Sequence, residues 1–185
     1  MIMVEKRSII QTIKVSIFYM KDLREQIFTA LLVAIALAVS LIESAIPLPI
    51  AVPGAKLGLS NMIILVALIV FGFKRGFQVA LLKSVLLMLI TGFGPSFIYS
   101  FAGALLSSCM MGLALRYANR IFSTIGVSII GAVFHNLAQV TVASYILGSI
   151  MVFTYFPFLT FVAIVTGYFV GLGAFNVSSH LKKIL

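Results

Sequence analysis

The chain has very little acid. Four of its 185 residues are Asp or Glu, and only Glu43 lies beyond position 25. That scarcity excludes the acid-rich motifs that hold Mg²⁺ against a diphosphate. Charge of either sign is sparse as well, at 9% of residues, where soluble chains carry about 25%. A soluble domain needs a wetted surface, and these residues cannot supply one. Cys109 is the only cysteine, so there is no disulfide framework and no cysteine pair for a metal. It lies in an apolar run, and packing is its expected role. The sequence contains no nucleotide-binding glycine loop, nucleophile elbow or metal-ligand spacing. It therefore points to no catalytic residue, no metal and no cofactor, and the chain is not expected to be an enzyme. No small-residue cleavage pattern of a signal peptide follows the basic start. No long linker or convincing repeat divides the chain.

Apolar residues fill the space that charge leaves. They make up 62% of the chain, with a mean hydropathy of +1.23. The net charge is +9, but the cations stand at the ends of apolar runs and not on one polar face. That placement is membrane topology, and it argues for lipid and against nucleic acid as the partner. The runs lie near 26–46, 58–73, 77–92, 96–116, 124–147 and 155–177. Most approach the roughly 20 residues that a helix needs to cross the bilayer.

The connections set the orientation. Twelve of the thirteen Lys and Arg lie in the N-terminal segment, the 74–76 turn, the 116–123 turn and the C-terminus, if Lys83 is counted with the turn it can reach. The 93–96 and 148–154 turns hold none, and 47–57 holds only Lys56. This alternation predicts an all-α integral membrane protein of six spans with both termini cytoplasmic. Residues 1–25 form a cytoplasmic segment in this reading, and residues 26–185 a six-helix transmembrane domain. Ile9, Ile10, Ile13, Ile17 and Met20 recur at helical spacing, as in an amphipathic helix lying on the inner surface. A poorly ordered leader is the alternative, at even weight.

The connection between the first two spans is unusual. Pro47, Pro49, Pro53, Gly54 and Gly58 preclude regular helix, yet the segment is mostly apolar. Irregular backbone at membrane depth has to be buried in protein or line a cavity. The 47–57 loop is therefore expected to fold back over the outer face of the bundle.

Polar groups within spans are functional candidates by default. Glu43 falls near the outer end of the first span, either touching headgroup water or partnering Lys56, His135 or a ligand. Lys83, about two turns into the third span, is expected to snorkel to the inner interface. His135, Asn136 and Gln139 form the densest polar cluster, at mid-depth in the fifth span. His135 and Gln139 share a helix face. Hydrogen bonding between helices is the plain use of such a cluster, and a ligand or proton site is the sharper one. Ala30, Ala34 and Ala38 form a small-residue face on the first span, and Gly167 and Gly171 one on the sixth. Such faces allow close helix approach in lipid. Packing within the bundle is the expectation for both, and docking of a partner is the alternative.

The stretches Ile42-Glu-Ser-Ala-Ile-Pro-Leu-Pro49, Pro53-Gly-Ala-Lys-Leu-Gly-Leu-Ser-Asn61, Gly94-Pro-Ser-Phe97 and Gly131-Ala-Val-Phe-His-Asn-Leu-Ala-Gln139 resemble the Gx transporter family. That family is also labelled heptaprenyl diphosphate synthase component I. The resemblance covers nearly all of the chain from about residue 26. The synthase label implies a prenyltransferase subunit, which in a chain this poor in acids would be an accessory. The transporter label implies a likeness to the substrate-binding S components of energy-coupling factor transporters. These are prokaryotic plasma-membrane proteins that bind a small vitamin-like molecule beneath the first outer loop. Their Ala-xxx-Ala face docks on a membrane scaffold driven by two ATPases. By that resemblance Glu43, Lys56, Asn61, His135, Asn136 and Gln139 would contact the substrate, and Ala30, Ala34 and Ala38 the scaffold. With Lys56 set against Glu43, the binding region is expected to be close to neutral. A membrane accessory in isoprenoid, quinone or flavin-linked electron-transfer metabolism is the rival reading.

Overall fold

In the computed structural model, which describes residues 2–46, 56–118 and 120–184, all regular structure is helical. Six α-helices follow in order: α1 Ile2–Ser44, α2 Asn61–Phe71, α3 Phe73–Thr91, α4 Pro95–Tyr117, α5 Thr124–Leu147 and α6 Phe156–Ile184. A 3₁₀ segment, Ile150–Tyr155, leads into α6. α1 runs without a break from the N-terminal segment into the first apolar run.

Four stretches are long and apolar enough to cross a bilayer: Asp22–Ser44, Phe97–Tyr117, Thr124–Leu147 and Ile150–Ile184. Their burial pattern inverts that of a soluble protein. Ile27, Leu31, Ile35 and Ile42 of α1 face outward, as do Phe161, Phe169 and Phe175 of α6. Ser40, Glu43, Lys83, His135 and Gln139 face inward. Outward apolar and inward polar side chains are what a lipid solvent selects.

The other two helices depart from this length for separate reasons. α3 carries Lys74, Arg75 and Lys83. α2 has only 11 residues, or about 16 Å of helix, roughly half the hydrocarbon thickness. It packs against all five other helices, and Ile63 through Leu68 are buried on every side. A helix that is apolar all round belongs in an interior, and α2 is the central pillar here.

α2 is joined to α3 through Gly72 alone, at φ +83°. The bend therefore falls earlier than the expected 74–76 turn, because a glycine can take the left-handed backbone that other residues resist. The expected run from 58 likewise starts as a helix only at Asn61. Of the expected 47–57 lid, residues 47–55 lie outside the described residues, whereas Lys56 through Ser60 are buried or partly buried among the helices.

The two small-residue faces have different fates. A Cβ at Gly167 would sit 2.9 Å from the Ile129 Cα, and one at Gly171 2.6 Å from the Ile125 Cα. This is close intramolecular packing of α6 on α5, as expected. Ala30, Ala34 and Ala38 are exposed. Packing within the bundle is therefore corrected for that face, because α1 turns Leu32, Val33 and Ala36 inward instead.

Candidate functional site

Glu43 stands in the last turn of α1 and is buried. Its Oε1 accepts the backbone N–H of Gly58 and that of Leu59, the latter at 3.3 Å. Residues 56–58 are not in a helix, so their N–H groups need outside partners. The carboxylate supplies one, through charge-assisted bonds. Gly58 is at φ +80°, and its carbonyl accepts from the Asn61 N–H at 2.9 Å to start α2. The left-handed turn allows the chain to change from irregular segment to helix inside the bundle.

α5 grips the same segment from the other side. The Lys56 backbone N–H donates to Gln139 Oε1 at 3.3 Å. That bond orients the amide, because an N–H must face the oxygen. Gln139 Nε2 then donates to His135 Nε2 at 3.0 Å. An accepting Nε2 implies a neutral imidazole with its proton on Nδ1. Nδ1 lies beside the Gly103 backbone of α4 without forming a well-made hydrogen bond. The ring is clasped by two glycines. A Cβ at Gly103 would fall 2.7 Å from Cε1, and one at Gly58 3.4 Å from Cδ2.

Lys83 is the main correction. It does not snorkel. It is fully buried, and its Nζ donates to Ser40 Oγ of α1 and Ser60 Oγ, each at 3.1 Å. Packing of α3 against α1 and α2 turns that face inward, which hydropathy along one helix does not reveal. Glu43, Lys56 and Lys83 are close enough to act on one another electrostatically. The cluster thus holds two lysines against one carboxylate, and the expected near-neutral balance is corrected.

All six expected substrate-contacting residues are buried: Glu43, Lys56, Asn61, His135, Asn136 and Gln139. Five of them gather around Gly58 and His135. Asn136 points elsewhere, and its Nδ2 donates to the Leu159 carbonyl of α6 at 2.9 Å. It ties α5 to α6.

Many polar atoms here are unanswered. Among the described residues, no hydrogen-bond partner reaches Glu43 Oε2, Lys56 Nζ, either amide atom of Asn61, His135 Nδ1 or Asn136 Oδ1. Burial holds the Lys56 ammonium below its ordinary pKa, with the Glu43 carboxylate opposing that shift. Buried polar groups are nearly always paired, so such a group calls for a water, an ion or a ligand. No three His, Cys, Asp or Glu lie together among the described residues.

The sequence did not single out Ser40, Ser60 or Gly103. Serine and glycine are common in membrane helices, and only the meeting of α1, α3, α4 and α5 gives these three a role. Two clefts lie away from the cluster, toward the basic end. One is lined by Leu68, Gly72, Phe73 and Arg116, the other by Phe122, Thr124, Leu172 and Phe175.

No curated protein and no solved structure matches the chain. A family model, heptaprenyl diphosphate synthase component I, matches residues 32–177. The match takes in α2 to α5, the last part of α1, most of α6 and every residue of the buried cluster, and by it the chain belongs to the heptaprenyl diphosphate synthase component I family.

Proposed function

We propose that this chain is the substrate-capturing subunit of a membrane uptake system of the energy-coupling factor kind, binding a small molecule from the outer face. In this reading α2 and α3 complete six spans, both termini are cytoplasmic, and residues 1–25 are the cytoplasmic start of α1 at a prokaryotic plasma membrane. The observation that carries the proposal is the group of unanswered polar atoms beneath residues 56–60. Buried, unpaired polar groups in a bilayer are costly, and a bound polar molecule would satisfy several at once. Residues 47–57 would form the lid over it, and Asn136 would brace α5 against α6 beside it. The exposed Ala30, Ala34 and Ala38 face is free to meet a membrane scaffold. Partner ATPases would supply the energy.

Two measurements test this. Mass spectrometry of protein purified in mild detergent should recover a small polar molecule. Affinity purification from the native membrane should recover a scaffold and ATPase subunits, and should lose them in Ala34→Leu. Recovery of neither would overturn the proposal.

The family description favours a second reading, a membrane accessory of a prenyl diphosphate synthase. That reading predicts a copurified prenyl chain or quinone and a soluble synthase partner.

A further inference from the structure

The buried cluster contains more positive charge than the chain has acid to balance. Lys56 and Lys83 are 5% and 0% exposed, and Glu43 is 4% exposed. Glu43 is the only acid after position 25. Asp22 and Glu25 are engaged with Arg75 at the start of the Asp22–Ser44 stretch of α1, and Glu5 lies still further toward the N-terminus. Residues 47–55 read Pro-Leu-Pro-Ile-Ala-Val-Pro-Gly-Ala, so no carboxylate can come from there. The imbalance is therefore fixed by composition, whatever the path of that segment.

The unanswered atoms include donors and acceptors, but the charge among them is uneven. Lys83 is held by two serine hydroxyls. The Lys56 ammonium, the Asn61 Nδ2 and the His135 Nδ1–H are donors without an acceptor among the described residues, and Glu43 Oε2 and Asn61 Oδ1 are acceptors without a donor. An uncompensated buried cation is among the most unfavourable arrangements a membrane protein can hold. A buried cluster with two lysines and one carboxylate is complemented by a ligand oxygen that carries negative charge.

We infer that the ligand of this cluster is a small molecule bearing a single anionic oxygen group, a carboxylate or a phosphate monoanion, seated on Lys56 and Asn61 with Lys83 behind them. The inference rests on the capture reading above and names the class of molecule captured. The chemistry is shared by a soluble metabolite acid and by a phospholipid headgroup, and the soluble acid fits the capture role.

The test uses full-length protein in mild detergent, comparing wild type, Lys56→Met and Lys83→Met. Each variant replaces the cation with an apolar chain of similar length, and monodisperse elution reports that it has folded. Native mass spectrometry identifies what copurifies. Thermal unfolding is also read in sodium acetate, sodium phosphate and sodium chloride at matched ionic strength. The expected result is a copurified acid, reduced at least tenfold in Lys56→Met. Acetate or phosphate should raise the wild-type melting temperature by several degrees over chloride, and by less than one degree in either variant. A copurified neutral molecule that both variants retain, with no anion-specific stabilisation, overturns this inference and leaves the capture reading standing. No bound molecule and no anion effect overturns this inference, and the capture reading falls with it if scaffold and ATPase subunits are also not recovered. A phospholipid lost from Lys56→Met keeps the anionic chemistry but removes the uptake role.

Discussion

Two clusters of charged side chains lie at opposite ends of the α1 span, and they obey different rules. Near one end Asp22 meets Arg75 at 2.6 Å, with Glu25 at 3.8 Å from the same guanidinium. Arg24 donates to the Ile184 carbonyl close by. These groups are partly exposed and balance one another. Near the other end Glu43, Lys56 and Lys83 are buried, unequal in charge and partly unpaired. The first arrangement costs little and contributes little, because water and salt screen it. The second is expensive in a bilayer. Its persistence points to a role that stability alone does not explain. A charge informs about function in this molecule only where solvent cannot reach it.

Four substitutions and one control put that contrast under pressure. Glu43→Ala should be the most damaging, at about 3–5 kcal/mol, because it strands two buried cations and releases residues 58 and 59. Loss of the monodisperse species in detergent would show it, and a wild-type melting curve would mean that this carboxylate does not anchor the segment. Gly103→Ala should cost about 1–3 kcal/mol by forcing its methyl into the His135 ring. Gly94→Ala has no atom within 4 Å to meet and serves as the matched control in the same melt. Asn136→Ala should cost only about 0.6 kcal/mol, the average for such interhelical bonds. Ligand copurification should change less than in Lys56→Met, and an equal loss would place Asn136 among the ligand contacts. Arg75→Ala should be smallest, at about 0.5 kcal/mol, and should vanish at high salt. Unfolding at two ionic strengths measures that.

Much of the fold was readable in the sequence. Composition reports the solvent, and each apolar run became a helix, because length and hydropathy are properties of a segment by itself. The His135 and Gln139 pairing was also readable, since four-residue spacing places both on one face. Lys83 was not. Its direction depends on which neighbours α3 acquires, and a snorkelling and a buried lysine look alike in one dimension. The same holds for Ala34 and Gly171. Both suit close packing, but only the arrangement of α5 and α6 uses one and leaves the other exposed.

The packing of α1 also has a mechanical consequence. α4, α5 and α6 are joined in series, with α6 and α5 locked nearly backbone to backbone at Gly167 and Gly171. That slab is stiff, because separating it would open voids along a whole seam. Among the described residues α1 packs on α2 and α3, and Arg24 bonds to the terminus of α6. Along its length α1 is held by Leu32, Val33 and Ala36 in the core, by the Lys83 bond to Ser40 and, in its last turn, by the Glu43 bonds to residues 58 and 59. The two walls of the bundle are therefore joined by different means, one by a close backbone seam and the other by side chains.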